Sequence, residues 1–130
     1  MSAPQTSTSP FRILVVDDEP ALCELLAEVL KSPRRSVEVR DTAGGALDFV
    51  SRNPVDLAFL DVNLPGMSGW DLARHIKEIS PHTRIVMCTG YHGEDIEAQA
   101  RVVQADRVLH KPVDFGELIT LTEKMSEGRS

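Results

Sequence analysis

Apolar and polar residues follow two patterns that alternate along almost the whole chain. Short continuous apolar runs, at residues 13–16, 57–60 and 85–88, are typical of strands buried on both faces. Between these runs, apolar residues recur every three or four positions, which predicts amphipathic helices. Strand and helix patterns alternate five times with short connections. This order predicts an α/β fold, doubly wound, in which helices cover both faces of a five-stranded parallel sheet.

The boundaries of these elements follow from turn and capping residues. The predicted strands cover residues 12–16, 36–40, 57–60, 85–88 and 106–110. The predicted helix starts are marked by Pro20, Thr42, a capping box at Ser68 and Asp71, Glu94, and a second capping box at Asp114 and Glu117. The helix side chains expected to face the core include Leu22, Leu25, Leu26, Val29, Leu30, Ala46, Leu47, Phe49, Val50, Leu72, Ile76, Ile79, Leu118, Leu121 and Met125.

The length of 130 residues suits one domain with one core. Residues 1–10 are rich in Ser, Thr and Pro without apolar periodicity, and we expect them to form a disordered leader. The five strand and helix units occupy residues 11–126, and residues 127–130 are expected to be a disordered tail.

Composition narrows the function classes further. The formal net charge of −6 argues against direct binding to nucleic acid, which requires basic residues to neutralise phosphates. No apolar run reaches the roughly 18 to 20 residues that span a membrane, and no signal peptide is apparent, so a cytoplasmic location is expected. Cys23 and Cys88 lie in apolar stretches, where buried reduced thiols are expected. The four histidines lack metal-ligand spacing and are expected to be surface or packing residues.

Polar side chains follow four of the predicted strands. Asp17 and Asp18 follow the first strand, Asp61 the third, Thr89 the fourth and Lys111 the fifth. Each of them alone has an ordinary explanation as a cap, turn or surface residue. Because the carboxyl ends of parallel strands meet at one edge of a sheet, the ordered set predicts a shared site.

Three clustered carboxylates require counter-charges. Two unit charges about 4 Å apart repel each other by roughly 4 kcal/mol at an effective dielectric constant near 20. Lys111 supplies one positive charge, and Mg²⁺, with Mn²⁺ as an alternative, is the natural second. Mg²⁺ usually retains waters and phosphate oxygens, so the cluster predicts a phosphoryl partner. Asp61 is then the best nucleophile, with Thr89 and Lys111 placed to hold the phosphoryl oxygens.

The ordered motifs resemble the CheY-like receiver domain of bacterial two-component response regulators. The resemblance covers about residues 12–125. It is carried by Asp17-Asp18-Glu19-Pro20, Asp61-x-x-Leu64-Pro65-x-x-x-Gly69, Thr89-Gly90 and Lys111-Pro112. It implies a flavodoxin-like sheet with strand order 2-1-3-4-5. It also implies a phosphorylation-activated switch that catalyses its own phosphorylation and dephosphorylation and turns over no outside substrate.

The resemblance also implies roles for individual residues. Asp61 takes a phosphoryl group from the phosphohistidine of a sensor histidine kinase or of a phosphotransfer protein. Asp18 binds Mg²⁺ directly, Asp17 acts mostly through water, and the backbone carbonyl of Asn63 completes the protein ligands. Lys111 contacts the phosphoacceptor and then the phosphoryl group. The peptide bond after this lysine is usually cis in the family.

Further residues bear on how the switch is read and timed. Thr89 is implied to shift toward the phosphoryl oxygens after transfer. Receivers often carry Tyr or Phe three residues before the site lysine, whereas this chain has Val108, so the usual aromatic movement cannot occur here. Tyr91, two residues past Thr89, is placed to hinder a water that attacks the phosphoryl group. The implied output surface is the face of helix 4, strand 5 and helix 5, which would bind an unknown downstream protein or domain, or a second copy in a homodimer.

Three other classes share parts of this pattern. Haloacid-dehalogenase-type phosphatases use a strand-end Asp nucleophile, but their D-x-D signature requires Asp where this chain has Asn63. TOPRIM-type enzymes also require a second Asp at that spacing. Flavodoxins bind the phosphate of flavin with hydroxyls and backbone N–H groups, which the acidic residues 17–19 would oppose. A passive binding module would not need all five site residues.

Overall fold

The computed structural model describes residues 10–127. The predicted leader over residues 1–10, except for Pro10, and the tail from residue 128 onward lie outside the described residues. The last helix includes Glu127, so the fold extends one residue beyond the expected boundary at 126. Within the described residues, no helix combines the length and the apolar composition that crossing a bilayer requires.

Five strands and five helices alternate along residues 11–127. The strands are β1 (Phe11–Val16), β2 (Arg35–Arg40), β3 (Leu57–Asp61), β4 (Arg84–Thr89) and β5 (Arg107–His110). The helices are α1 (Pro20–Leu30), α2 (Ala43–Arg52), α3 (Gly69–Ile79), α4 (Glu94–Val102) and α5 (Phe115–Glu127). All strand pairs are parallel and the order is β2-β1-β3-β4-β5. The flavodoxin-like fold and its strand order are therefore confirmed.

The core has two halves because successive side chains of a strand point to opposite faces of the sheet. Ile13 and Val15 of β1 contribute to the half that packs beneath α1 and α5. Leu14 and Val16 contribute to the half beneath α2 and α3. All five residues of β3 are buried, as expected for a central strand covered on both faces.

Two helix residues predicted to face the core do not. Leu25 of α1 is 50% exposed and Ile79 at the end of α3 is 52% exposed. In α1 the buried stripe runs through Cys23, Leu26 and Leu30, so Leu25 lies just outside it. Ile79 is the last residue of α3, whose buried stripe runs through Leu72, Ala73 and Ile76.

Several boundaries and caps differ from the expected ones in detail. The Ser68 hydroxyl accepts from the Asp71 N–H at 3.2 Å, as predicted, but the Asp71 carboxylate contacts Arg74 rather than closing a capping box. The strand β5 begins at Arg107 rather than at Asp106. The Asp106 carboxylate instead accepts from the Ile85 N–H at 2.8 Å.

The strand register brings the ends of the central strands to one level. Val16 pairs with Leu60, so Asp17 and Asp61, each one residue further, lie side by side at the carboxyl edge. Further along the sheet, Thr89 pairs with His110. The Lys111 N–H then donates to the Thr89 carbonyl at 2.8 Å. This edge, where the chain leaves β1 and β3 in opposite directions, is where such sheets bind ligands.

Candidate functional site

Three carboxylates meet at the carboxyl edge of the sheet. Asp17 and Asp61 are 3% and 6% exposed, whereas Asp18 is exposed to solvent. One carboxylate oxygen from each of the three lies within 4.8 Å of the others. The structure thus brings together the acids that the sequence placed at the ends of two different strands.

Lys111 supplies the positive charge among these acids. Its Nζ donates to Asp17 Oδ2 at 3.0 Å and lies 3.4 Å from Asp61 Oδ1. It also lies 3.4 Å from Glu19 Oε1. The resemblance implied a contact with Asp61, and that ion pair is present, but the shortest contact is to Asp17. Glu19 is part of the acidic motif after β1, but the resemblance implied no role for its side chain.

The charges at this site shift two pKa values. Burial raises the pKa of Asp61, and the neighbouring Asp17 charge raises it further, against the opposing effect of Lys111. Burial by itself would lower the pKa of Lys111. The hydrogen bond and charge of Asp17, together with Asp61 and Glu19, outweigh burial and raise the pKa of this lysine well above its usual range. The ammonium group is therefore charged at any physiological pH.

The hydroxyl of Thr89 lies beneath the loop that joins β4 to α4. Thr89 is 1% exposed, and its Oγ1 accepts from the Tyr91 N–H at 3.0 Å. Tyr91 is 58% exposed and borders the same cleft as the acids. Val108 is half-buried and packs against the core half beneath α2 and α3. The aliphatic side chain at this position thus belongs to the packing of the sheet.

The cleft at this edge is lined by residues from four connections, namely Asp18, Glu19, Asp61, Asn63, Gly90, Tyr91 and Lys111. The Asn63 side chain position is exposed, and its backbone N–H donates to Asp61 Oδ1 at 3.3 Å. This bond curls the chain back over the carboxylate. The Lys111–Pro112 peptide bond is cis, as the resemblance implied.

Gly69 fixes the connection that follows β3. Its N–H donates to the Val62 carbonyl at 2.7 Å, so the start of α3 packs directly on the end of β3. A Cβ at this position would overlap the backbone oxygen of Asp61 and lie 2.9 Å from the Val62 Cα. Only glycine therefore allows this close approach, which holds the Asp61 backbone in place.

Two thiols lie behind the acids. Cys23 Sγ donates to the Asp17 carbonyl at 3.2 Å. Burial, with the charge of Asp17, raises the pKa of Cys23 to about 11, and burial raises the pKa of Cys88 to about 12. Both are free and buried, which confirms the expectation of reduced core thiols. The hydrogen bond of Cys23 to the backbone beside the site was not predicted, and no spacing in the sequence indicates it.

The donor set fits a hard divalent cation. The three carboxylates offer oxygen ligands close enough to share one ion, and the cleft leaves room for waters or a phosphate oxygen in its shell. Soft metals are disfavoured because Cys23 and Cys88 are buried and no histidine joins this acidic group among the described residues.

Comparison with known proteins agrees with this geometry. The sequence profile described as "Response regulator receiver domain" matches residues 13–123. The response regulator protein PilR of Pseudomonas aeruginosa is 36% identical over 107 residues, which are 82% of this chain and 24% of that protein. Sporulation initiation phosphotransferase F of Bacillus subtilis is 30% identical over 115 residues, 87% of this chain and 91% of that protein.

A crystal structure of a CheY-like response regulator receiver domain protein from Methanospirillum hungatei has a TM-score of 0.84 and 31% identity, and covers 92% of this chain and 96% of that one. The chain spans between about a quarter and a half of most of the first curated relatives it matches. Profile, relatives and fold agree, and the chain belongs to the response regulator receiver domain family, which acts as a switch in phosphorylation-dependent two-component signalling.

Proposed function

We propose that Asp61 is the phosphoacceptor of this receiver domain and takes its phosphoryl group from a phosphohistidine with the help of Mg²⁺. One observation carries the proposal. Asp61 is a buried carboxylate at a strand end, within reach of two further carboxylates and 3.4 Å from the Lys111 ammonium. A buried carboxylate beside two other carboxylates lowers the stability of the fold, and such an arrangement is typical of a functional site.

The proposed transfer is a displacement at phosphorus. A lone pair of an Asp61 carboxylate oxygen forms the new O–P bond while the N–P bond of the phosphohistidine breaks. The imidazole leaves with the electron pair of that bond and takes up a proton from water. Lys111 favours the deprotonated carboxylate needed for attack, against burial and Asp17. Its ammonium then pairs with the phosphoryl oxygens, which the Thr89 hydroxyl also binds.

The carboxylates of Asp17, Asp18 and Asp61 and the backbone carbonyl of Asn63 would hold the cation in this proposal, with Mn²⁺ as an alternative to Mg²⁺. When bound, the cation neutralises charge on the transferring phosphoryl group and orients its oxygens. Support comes from the hard oxygen donors of the cleft, which suit either ion.

Tyr91 is proposed to tune how long the phosphoryl group survives. Its ring is exposed at the border of the cleft that also contains Asp61. Water must enter this cleft to hydrolyse the acyl phosphate, and a ring at its border narrows the approach. With Val108 at the position where related domains often have an aromatic ring, signal transmission requires another contact between the β4–α4 loop and β5.

The proposed partners are a sensor histidine kinase or a phosphotransfer protein upstream, and an unknown protein or output domain downstream. The output surface is the face formed by α4, β5 and α5, where Val102 is 75% exposed. The occupant of this face is proposed to be a downstream protein or domain, or a second copy of this chain. The cytoplasmic location expected from the sequence remains a prediction.

Phosphorylation by a small acyl phosphate tests the proposal directly. Wild-type protein incubated with Mg²⁺ and acetyl phosphate should gain the mass of one phosphoryl group, measured on the intact protein. Asp61→Asn should gain none. Asp48→Asn, which changes an exposed carboxylate on α2, should behave as wild type. After removal of the donor, the adduct should disappear faster in Tyr91→Ala.

The outcomes separate the parts of the proposal. An unmodified wild-type protein, or equal modification of Asp61→Asn, would contradict the assignment of Asp61. An unchanged lifetime in Tyr91→Ala would contradict only the role of Tyr91. No adduct should form when a chelator removes Mg²⁺ before the donor is added, and an adduct formed under that condition would contradict the requirement for a cation.

A further inference from the structure

Two histidine rings stack beside the proposed phosphoryl site. The rings of His92 and His110 lie 4.2 Å apart between centroids with an angle of 9° between their planes. His92 belongs to the loop between β4 and α4, and His110 is the last residue of β5. The stack therefore joins two segments that are 18 positions apart in the sequence and that flank the cleft.

A hydrogen bond reinforces this connection. His110 Nδ1 lies 3.0 Å from the backbone carbonyl of Tyr91. Because a carbonyl oxygen only accepts, Nδ1 carries the hydrogen and donates it. One side chain at the end of β5 thus holds the loop at two consecutive residues, by the Tyr91 carbonyl and by the His92 ring.

The loop held in this way also engages the Thr89 hydroxyl. The Tyr91 N–H donates to Thr89 Oγ1 at 3.0 Å, so the two polar groups of the Tyr91 backbone are bound on opposite sides. The loop is bounded by Gly90 and Gly93, and the latter has φ of +120°. Glycines at both ends allow the segment to move as a unit once its contacts are released.

The side of the sheet that bears this stack is set by the strand. His110 is two residues beyond Val108, so both side chains leave β5 on the same face. Val108 packs on the core half beneath α2 and α3, which places His110 on that face of the sheet. Val103, which caps the end of α4, belongs to the same core half. An aliphatic side chain at position 108 has no hydrogen-bonding group, so among β5 side chains on this face His110 provides the polar contact with the loop.

We propose that His92 and His110 form a latch that positions the β4–α4 loop and holds it away from the phosphoryl-binding arrangement. This inference rests on the proposed function. For Thr89 to turn toward phosphoryl oxygens, its hydroxyl must leave the Tyr91 N–H, and that N–H must find a new partner as the loop moves. The latch opposes this movement by fixing the Tyr91 carbonyl. His110 is therefore a positioning residue, and loss of the latch shifts the population toward the phosphoryl-binding state.

The first test measures the loop alone, without metal or phosphate. His110→Phe keeps a ring for stacking but removes the donor to the Tyr91 carbonyl, and His92→Ala removes the stack. In both variants the ¹⁵N backbone order parameters of residues 91–93 should fall below about 0.6, whereas rigid backbone stays near 0.85. His82→Ala changes an exposed histidine of the α3–β4 turn and should leave the loop as in wild type.

The second test measures coupling to the site. Beryllofluoride is a tetrahedral mimic of a phosphoryl group on a carboxylate, and its binding in excess Mg²⁺ can be followed by the fluorescence of Trp70, next to Gly69. The midpoint concentration should be about threefold to tenfold lower in His110→Phe than in wild type, the effect of one hydrogen bond that stabilises the unbound state. His82→Ala should match wild type.

Each outcome decides one of the two proposals. Unchanged loop order, or an unchanged or weaker beryllofluoride midpoint in both latch variants, overturns the latch. Absence of beryllofluoride binding in wild type overturns the proposed function, while the loop measurement still decides whether the histidines hold the loop.

Discussion

At the scale of single residues, the positive charge of Lys111 only partly neutralises the acids around it. One ammonium faces Asp17 and Asp61, which are buried, and Glu19, which is exposed. The raised pKa of Asp61 shows that burial and its acidic neighbour outweigh the lysine. An ionised Asp61 at the end of β3 therefore lowers the stability of the folded protein.

Removing the charge of Asp61 should therefore stabilise the metal-free protein. The native carboxyl binds its proton more tightly than the unfolded one. Wild type consequently loses stability as the pH rises. The loss begins in the pH range where the carboxyl of the unfolded chain ionises and ends in the higher range where the native carboxyl ionises. Asp61→Asn lacks this loss. At pH 7 its free energy of unfolding in urea should be higher by roughly 0.5–2 kcal/mol.

Asp48→Asn is the matched control, since it removes an exposed carboxylate from an i,i+4 ion pair with Arg52. Its free energy of unfolding should stay within about 0.5 kcal/mol of wild type. A less stable Asp61→Asn would show that the buried carboxylate contributes favourable contacts that exceed its charge cost.

The residue types at the site were predictable, but their pairing was not. Asp17, Asp61, Thr89 and Lys111 each lie at the end of a strand or directly after it, and the parallel order alone predicts that they meet. Which acid lies closest to Lys111 depends on side-chain distances of a few tenths of an ångström, which strand order does not determine. The histidine stack was not predictable for a similar reason, since stacking requires no spacing signal in the sequence.

At the scale of elements, the connection from β3 to α3 determines where Asp61 sits. The strand ends on the acid, the chain turns through Gly66, whose φ is +82°, and α3 begins at Gly69 against the strand it has just left. The backbone N–H of Asn63 donates to Asp61, and that of Gly69 donates to Val62, so two hydrogen bonds hold the same short segment. The position of the carboxylate is a property of this whole connection.

A methyl group at position 69 should displace the connection. Gly69→Ala places a Cβ into the backbone of Asp61 and Val62, and backbone cannot yield as a flexible side chain does. We expect a loss of about 1–3 kcal/mol in the free energy of unfolding. Phosphorylation by acetyl phosphate should slow as well, because the carboxylate moves.

Gly44→Ala provides the comparison. Gly44 lies in the first turn of α2, and apart from its chain neighbours and the backbone of its own helix no atom lies within 4 Å of the place that an alanine methyl group would occupy. Alanine there should add up to about 1 kcal/mol of stability through helix propensity. It should leave phosphorylation unchanged. Equal effects of the two substitutions would contradict the steric account of Gly69.

Element types were predicted well because the apolar periodicities are strong, but the faces of helices were predicted less well. Leu25 and Ile79 fit a helical stripe and yet are exposed, since the periodicity gives the spacing of a stripe but not how much of it the neighbouring elements cover. The left-handed residue after α4 also escaped prediction. Gln104 adopts φ of 61° after this helix, a conformation that glycine or asparagine would have signalled.

At the scale of the whole molecule, the fold gathers acid at one edge of an already acidic protein. The net charge is −6, and the acids at the carboxyl edge add local repulsion to this general excess. A divalent cation at that edge would relieve the repulsion and would bind the folded chain in preference to the unfolded one. Stability and metal binding are then linked.

Magnesium should accordingly raise the melting temperature. At a Mg²⁺ concentration ten times the dissociation constant, the folded state gains about 1.4 kcal/mol, which corresponds to an increase of about 5 °C for a domain of this size. Scanning calorimetry at constant ionic strength measures this increase. Asp17→Asn should abolish most of it. An equal increase on adding NaCl alone would show general screening instead of a specific site.

The global architecture was the most predictable level. Five alternations of short apolar run and amphipathic stretch leave few topologies open, and the motif resemblance selected one of them. The sequence could not reveal what binds the proposed output face, since the exposed surface of α4 and α5 is mostly polar and, among the residues that the structure describes there, Val102 is the only large apolar residue that is exposed.

The contact between Lys111 and Asp17 joins residues 94 positions apart. A ribosome must therefore release nearly the entire domain before the lysine can meet the acids, and a nascent or proteolytically clipped chain lacks the complete pocket. Chains that end before Lys111 are therefore expected to lack the complete set of charged groups at the proposed site.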